Sequence, residues 1–149
     1  MKKTYFLTKV LIMYLFFITY GLAAKTDYFD KGKILFDKKK FQKSKIFFEK
    51  DIVFNPQSEK SYLYLAKIFN ENNNDQEQEM NLNNVLLLNP QNDEAIYMLT
   101  LLKIKQSDYN EAKELIKKFN LVCEFFCSKR AEILEKFDKL VPENARDNN

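Results

Sequence analysis

The chain has 149 residues, enough for one domain, and 46% of them are hydrophobic, so a sizeable core can be buried. It contains 2 Gly and 3 Pro, which argues against a turn-rich β fold and against Gly-rich phosphate-binding loops. The 24 basic and 21 acidic residues include no His, so the commonest general base and the commonest metal ligand are missing.

Residues 1–24 carry the pattern of an export signal. Lysines come first, then an uncharged and mostly apolar stretch over 10–24 that ends in small residues. This order is typical of a signal peptide, with cleavage expected near Ala23 or Ala24. As a helix, the stretch would span about 22 Å of a hydrocarbon core about 30 Å thick, so a cleaved signal is preferred to a membrane anchor.

Removal of residues 1–24 takes away three lysines and leaves 21 basic and 21 acidic residues. Nucleic-acid binders normally keep a basic excess, so nucleic acid is not expected as a partner. Membrane contact is expected only through residues 1–24, if they are not cleaved. The abundance of Lys, Asn, Phe and Ile suggests an AT-rich bacterial genome. We therefore expect an exported bacterial protein of the cell envelope, periplasmic or secreted after cleavage and membrane-anchored otherwise.

The rest of the chain repeats itself every 34 residues. Asn55-Pro56-Gln57 returns as Asn89-Pro90-Gln91, and small residues such as Gly32 and Ala66 recur at the same offset. Asn before Pro marks a helix end, because the residue before Pro avoids the helical conformation and Pro suits a first helical turn. The spacing predicts helices at about 27–38, 41–54, 58–71, 75–88, 92–105 and 108–119, with a seventh over 123–140.

These residues resemble the tetratricopeptide repeat, a 34-residue helix–turn–helix unit with an aromatic start, small residues at its helix crossing and a closing Pro. The resemblance implies an all-α, short antiparallel helix-pair solenoid with pairs at about 25–58, 59–92 and 93–126. A capping helix at 123–141 would cover the last pair, and the tail at 142–149 would be disordered.

A plain helical bundle with an accidental 34-residue echo is the alternative. The resemblance covers about 25–126, and Lys31, Lys103, Gln78 and Glu124 depart from the family pattern. The recurring tripeptide and the shared small positions favour the solenoid.

Two helix starts have recognisable capping residues. Asp108 and Glu111 form a predicted capping box, in which Asp accepts from a backbone amide and Glu reaches back to the amide of Asp108. Asp75 is expected to cap the helix at 75–88.

Cys123 and Cys127 are the two cysteines, and their spacing would put them on one face of the capping helix. Two thiols do not complete a four-ligand zinc site, and the spacing is not that of a Cys-x-x-Cys redox pair. They could form a local disulfide in an oxidising compartment, but two buried thiols are the preferred interpretation. No catalytic residue, metal or cofactor is predicted, and the chain is not expected to be an enzyme.

The resemblance also implies a binding surface, because the first helix of each tetratricopeptide pair lines a concave groove. The corresponding positions here are Phe29, Lys33, Phe36, Lys60, Leu63, Lys67, Tyr97, Leu101 and Ile104. An apolar strip with basic residues at its edge suits a peptide with apolar anchors and some acidic character. The alternative is that neighbouring units or the seventh helix cover some of these side chains.

One subclass of the family binds chaperone tails by clamping a C-terminal carboxylate with Lys, Asn and Arg. The corresponding positions here are Phe29, Lys33, Tyr64, Glu94 and Met98, and only Lys33 has a suitable side chain. A chaperone-tail function is therefore not expected. The leading function is an adaptor or assembly factor that holds an envelope protein. A structural subunit of a larger envelope complex is the alternative, and a thiol-dependent redox protein is less favoured.

Overall fold

The computed structural model describes residues 27–140, which form seven α-helices and one 3-10 turn. The helices are α1 (Tyr28–Asp37), α2 (Phe41–Phe54), α3 (Glu59–Glu71), α4 (Asp75–Leu88), α5 (Asp93–Lys105), α6 (Tyr109–Val122) and α7 (Arg130–Leu140), and the turn is Cys127–Lys129. Each odd-numbered helix from α1 to α5 packs on the helix that follows it, each pair packs on the next, and α7 packs on α5.

The predicted all-α solenoid of three helix pairs with a seventh helix is confirmed. The predicted signal or anchor helix at 1–24 and the tail at 142–149 lie outside the described residues. Within 27–140, every helix is too short or too polar to span a bilayer.

The turn inside each pair has the same backbone conformation in all three units. Lys39, Asn73 and Ser107 are 34 residues apart and have positive φ angles of 55°, 53° and 62°. In each turn, the amide of the next residue donates to a carbonyl in the preceding helix at 2.9 Å. A positive φ crowds Cβ against the backbone, so helix ends usually place Gly there. The 34-residue period therefore extends to backbone conformation as well as to side chains.

The first pair crosses closely at Gly32. A Cβ at this position would lie 2.7 Å from the Phe48 ring, and the Ser44 hydroxyl donates to the Gly32 carbonyl at 2.7 Å. In the second unit, Ala66 and Leu82 occupy the positions of Gly32 and Phe48, and both are fully buried. Ala66 is larger than Gly32 and Leu82 is smaller than Phe48, so the packed volume at the crossing stays similar.

Asp93 holds the segment that leads into α7. Its Oδ2 accepts the backbone amides of Glu124, Phe125 and Phe126 at 2.8, 2.6 and 2.8 Å. Burial by itself would raise the pKa of Asp93, but these three amides and that of Glu94 hold the pKa below its ordinary value. Asp93 is also the first residue of α5, where the helix dipole favours a negative charge.

The capping helix expected from residue 123 begins instead at Arg130. The Cys123 amide still donates to the Phe119 carbonyl of α6, but residues 124–126 leave the helical path because their amides turn toward Asp93. Cys123 and Cys127 form a disulfide across this turn, with Cα atoms 5.2 Å apart. The structure thus contains the local disulfide that the sequence left open, and not the two buried thiols that were preferred.

The helix caps differ in detail from those expected. Asn74, and not Asp75, caps α4, and its side chain accepts a backbone amide at 3.3 Å. Asp108 caps α6 as predicted, accepting from the Glu111 amide at 3.2 Å. The Glu111 side chain does not reach back, because the amide of Asp108 already donates to the Lys103 carbonyl. It pairs with the Lys103 ammonium at 3.0 Å instead.

Gly32→Ala is expected to destabilise the protein by about 1–3 kcal/mol, since the new methyl group would overlap the Phe48 ring. The double variant Gly32→Ala with Phe48→Leu recreates the pair found at Ala66 and Leu82. Its loss of stability should be smaller than the sum of the two single losses. Chemical denaturation of all three variants measures this, and a purely additive loss would contradict the proposed contact.

Asp93→Asn is expected to weaken the docking of the C-terminal segment by about 1.5–3 kcal/mol, because hydrogen bonds to a charged acceptor contribute about that much. The lowered pKa means that this contribution is present above the ordinary Asp pKa and is lost as the pH falls through the lower folded value. Asp75→Asn is the matched control, because Asp75 also begins a helix but pairs with the exposed Lys105.

Amide hydrogen exchange at residues 124–126 measures the effect of Asp93→Asn. We expect protection to fall at these amides in Asp93→Asn and to stay unchanged in Asp75→Asn. Equal protection in the two variants would show that the carboxylate does not hold this segment.

Candidate peptide-binding groove

The first helices of the three pairs form one face of the solenoid. Phe29 and Phe36 of α1 pack against Tyr64 of α3, with ring centroids 5.7 and 5.0 Å apart. Lys67 of α3 pairs with Glu94 of α5 at 2.8 Å. Side-chain contacts therefore run from α1 to α5, and we call this surface the α1–α3–α5 face.

Tyr64 is the centre of an aromatic cluster on this face. Its ring stacks on that of Phe48 with centroids 5.1 Å apart, and the Lys67 ammonium lies 4.8 Å from the Tyr64 centroid. Tyr64 was predicted only as a position of the missing clamp, and not as a groove residue. Its spacing of three residues before Lys67 places both on one side of α3, and this spacing was the signal available in the sequence.

The nine predicted groove residues have different environments. Leu63 and Ile104 belong to the core, with 8% and 4% of their surface exposed, and so offer a partner little area. Lys33 and Lys60 are exposed. The other five are half-buried: Phe29, Phe36, Lys67, Tyr97 and Leu101. The structure thus covers part of the strip, and the binding role of all nine stays a prediction.

The basic edge of the strip is largely neutralised by the protein's own carboxylates. Lys33 pairs with Asp37 at 2.8 Å, and this hydrogen bond raises the pKa of Lys33. Lys67 is engaged by Glu94 on the neighbouring helix. An acidic peptide would have to compete with these carboxylates, so the face offers a partner mainly apolar contact.

A cleft of about 270 Å³ opens at the junction of the second and third units. Its walls come from α3, α4 and α5, and its lining residues are Asn70, Gln78, Tyr97, Met98, Leu101, Leu102 and Lys105. Tyr97 and Leu101 were predicted to line the groove, whereas Asn70, Met98 and Lys105 were missed. Lys105 lies four residues after Leu101, on the same side of α5, so helical spacing could have identified it.

A second cleft, of about 490 Å³, lies between the third pair and α7. It is lined by Leu101, Ile104, Lys105, Ser107, Tyr109, Lys136 and Leu140. Leu101 and Lys105 line both clefts. The two clefts are therefore neighbours, and together they offer an extended segment a longer track than either does alone.

Tyr97 is covered on one side by the C-terminal segment. Its hydroxyl donates to Glu132 Oε1 at 2.9 Å, and its ring centroid lies 5.9 Å from that of Phe126. Burial, followed by the Glu132 contact, raises the pKa of Tyr97 to about 12. Lys129 first, then Lys136 and Tyr97, lower the pKa of Glu132 to about 2. This polar cluster ties α7 to the α1–α3–α5 face.

The positions of the chaperone-tail clamp are occupied by other contacts. Phe29 and Tyr64 pack against each other, Glu94 pairs with Lys67, and Met98 lines the first cleft. Within residues 27–140, no group of three or more His, Cys, Asp or Glu side chains is placed to hold a metal ion.

Solved structures of tetratricopeptide domains share this fold. The first such domain of Spaghetti (RPAP3), bound to the HSP90 peptide SRMEEVD, matches with a TM-score of 0.69 and 15% identity, over 77% of this chain and 91% of that chain. The Sgt2 domain from Aspergillus fumigatus matches with a TM-score of 0.66 and 15% identity, over 83% and 82%. No protein-family model matches the chain, and no curated protein matches it.

The second tetratricopeptide domain of human RPAP3, in complex with the HSP70 peptide SGPTIEEVD, matches with a TM-score of 0.66 and 14% identity, over 78% of this chain and 94% of that chain. These matches show the tetratricopeptide fold of this chain. Both RPAP3 domains are in complex with a peptide of another protein.

Glu132→Gln is expected to lower the pKa of Tyr97 toward 10 and to destabilise the protein by about 1 kcal/mol, since the Glu132 side chain is 35% exposed and solvent screens its charge. The lowered Glu132 pKa makes this contribution present above the ordinary Glu pKa and absent below about pH 2. Glu135→Gln is the control, because Glu135 pairs only with Lys139 in an exposed ion pair.

Tyrosinate absorbance during alkaline titration, with Tyr97→Phe to identify the signal, measures the Tyr97 pKa. Denaturation at several pH values measures the stability difference. An unchanged Tyr97 pKa in Glu132→Gln would contradict the assigned contact.

Proposed function

We propose that this tetratricopeptide protein is an adaptor or assembly factor that holds a segment of another protein along the α1–α3–α5 face. The observation that carries the proposal is the pair of adjoining clefts beside Leu101, on the face formed by the first helices. The complexes of the RPAP3 domains with SRMEEVD and SGPTIEEVD support a peptide-binding use of this fold.

The contacts of the face favour an extended segment with apolar side chains. Met98 and Leu101 supply apolar wall in the first cleft, while Asn70 can hydrogen-bond to a partner's backbone. Lys33 and Lys67 are already paired, so acidic character in the partner would add less than the sequence suggested. A free C-terminal carboxylate is not required, because the clamp residues are absent.

We further propose that the protein is exported into a bacterial cell envelope. The pattern of residues 1–24 supports export, and so does the disulfide between Cys123 and Cys127, because disulfides persist in oxidising compartments. Cleavage near Ala23 or Ala24 would release the protein, and retention of the segment would anchor it.

A structural subunit of a larger envelope complex is the second candidate. Leu134 and Leu140 of α7 are 40% and 59% exposed, so the capping helix itself keeps apolar surface that a further subunit would bury. A thiol-dependent redox function stays the least favoured, because the disulfide has a structural use beside the segment that Asp93 holds.

The test is capture of partners by the tagged full-length protein from its native cell envelope, with mass spectrometry of bait and partners. Asn70→Trp should fill the first cleft and lower recovery of the specific partner at least tenfold, or about 1.4 kcal/mol. Asn110→Trp is the matched control, because Asn110 is exposed on α6 and lines neither cleft. We expect it to bind like the unaltered protein.

Equal loss of partner in Asn70→Trp and Asn110→Trp, with both variants folded by circular dichroism, would contradict binding in the clefts. Capture of nothing above background would contradict the adaptor function. A bait that carries an intact leader and is found in the cytoplasm would contradict export.

A further inference from the structure

A row of exposed apolar side chains follows the edge where the helix pairs are connected. Val53, Leu87 and Leu121 are 34 residues apart near the ends of α2, α4 and α6, and they are 75%, 80% and 85% exposed. Beside them lie further exposed apolar residues: Phe54, Leu88 and Phe125. We call these six residues and their loops the connection edge.

Recurrence sets this row apart from ordinary surface hydrophobics. Single exposed apolar residues are common, but here the same position of all three units is both apolar and exposed. The opposite edge holds the turns inside the pairs, and residues 38–40, 72–74 and 106–108 are all polar or charged. The ends of α2, α4 and α6 at the connection edge are therefore apolar, whereas the turns at the opposite edge are polar.

Most acidic groups of the connection edge are engaged by hydrogen bonds, whereas Asp27 at the chain entry is 64% exposed and pairs with Lys31. Asp51 is buried and accepts the Ser61 hydroxyl at 2.6 Å, Glu59 accepts from Asn89 at 3.1 Å, and Asp93 is buried among backbone amides. Glu124, beside Phe125, is exposed. The hydrogen bond between Ser61 and Asp51 also joins the first and second units.

Basic side chains lie one helical turn behind two of the three recurring tips. Lys50 precedes Val53 by three residues, and Lys118 precedes Leu121 by three residues, so each lies on the same side of its helix as the apolar tip. Apolar tips with lysines one turn behind suit a bilayer surface, where alkyl stems cross the headgroup region and ammonium groups meet anionic lipids.

The chain enters the domain at this same edge. Tyr28, at the start of α1, stacks on Phe54 with ring centroids 5.5 Å apart. The uncharged stretch over 10–24 ends three positions before Asp27, and the three intervening links reach at most about 10 Å. A bilayer that holds this stretch would therefore have the connection edge within about 10 Å of its surface.

We propose that the connection edge rests on the lipid bilayer that holds residues 10–24, with its six apolar side chains in the headgroup region. The proposal depends on the envelope location above and on retention of the leader, but not on the partner-binding groove. Helices α1–α6 run from one edge to the other, so their axes point away from the membrane surface. The α1–α3–α5 face then opens sideways, where a segment of a neighbouring envelope protein can enter.

A second copy of the chain fits this row less well. Two connection edges placed against each other would bring their Lys50 and Lys118 side chains close together, and like charges repel. Lipid headgroups of opposite charge remove that conflict.

The test uses the full-length chain in vesicles of phosphatidylethanolamine and phosphatidylglycerol that contain a nitroxide-labelled lipid as quencher. Leu87→Cys or Leu121→Cys carries a polarity-sensitive fluorophore, and Asn72→Cys at the opposite edge is the matched control. The native cysteines are joined, so the added thiol is the one that reacts. We expect quenching at 87 and 121 to exceed quenching at 72 by about threefold.

Introduction of negative charge into the row gives a second readout. Leu87→Glu with Leu121→Glu should reduce quenching of a label at Val53→Cys to the level seen at residue 72. The thermal stability should stay unchanged, because both leucines are exposed. Asn72→Glu with Gln106→Glu makes the same charge change at the opposite edge and should leave quenching unaltered.

Three results would overturn the proposal. The first is equal quenching of the labels at residues 87 and 72. The second is a chain that is recovered from cells without residues 1–24 and without membrane association. The third is shielding of the labelled row from solvent that increases with protein concentration and occurs without lipid quenching. The last would identify a second copy as the occupant. The vesicles contain no partner protein, so this experiment and the partner capture can fail independently.

Discussion

Asp93 lies at the start of α5 with one carboxylate oxygen within 2.8 Å of three backbone amides, and the way the solenoid ends depends on it. A helix pair leaves an apolar face that only a neighbour can cover, so the third pair needs a following element. The carboxylate turns residues 124–126 out of the helical path, and α7 then packs across α5. Ile133 and Phe137 of α7 are buried in the same core as the third pair.

The same closure shapes the surface offered to a partner. Because α7 lies against α5, Glu132 reaches Tyr97 and covers one side of it, and a second cleft forms beside Leu101. Lys33 of α1 pairs with Asp37 of its own helix, and Lys67 of α3 pairs with Glu94 of α5. The resulting face is an apolar track with few free charges. That character distinguishes it from a surface built to clamp a carboxylate. The backbone fold is nevertheless shared with domains found in complex with the peptides SRMEEVD and SGPTIEEVD.

The two edges of the solenoid follow from its topology. Antiparallel pairs place every connection between pairs at one edge and every turn within a pair at the other. Turns with a positive φ, at Lys39, Asn73 and Ser107, demand polar or small residues, so one edge is polar for reasons of backbone geometry. No such demand acts on Val53 and its equivalents near the ends of α2, α4 and α6, and their apolar character needs another cause. A bilayer beneath that edge supplies one.

The sequence by itself determined the repeat, because a 34-residue period leaves its mark at every level. Gly32 recurs as a small residue where two helices must cross, and the Asn-Pro steps stop α2 and α4 by local sterics that need no tertiary contact. Helix number followed from such short-range rules, whereas the pairing order and the first helices as the common face were implied by the resemblance to the tetratricopeptide repeat. The groove positions on α1 and α5 could be predicted only in part. Helical spacing shows which side of a helix a residue occupies, but not which other helices cover that side.

The tertiary structure alone decided what long-range contacts control. Asp93 and residue 124 are 31 positions apart, so nothing local shows that a carboxylate would hold those amides. Nor does anything local show that the helix predicted from residue 123 would begin at Arg130, or that Cys123 and Cys127 would form a disulfide. Burial of Leu63 and Ile104 likewise depends on how neighbouring units pack. Ion pairs such as that of Lys67 with Glu94 of α5 form only once the units are assembled. Local rules determine which elements form, and the charge and burial of the surface are settled only where distant parts of the chain meet.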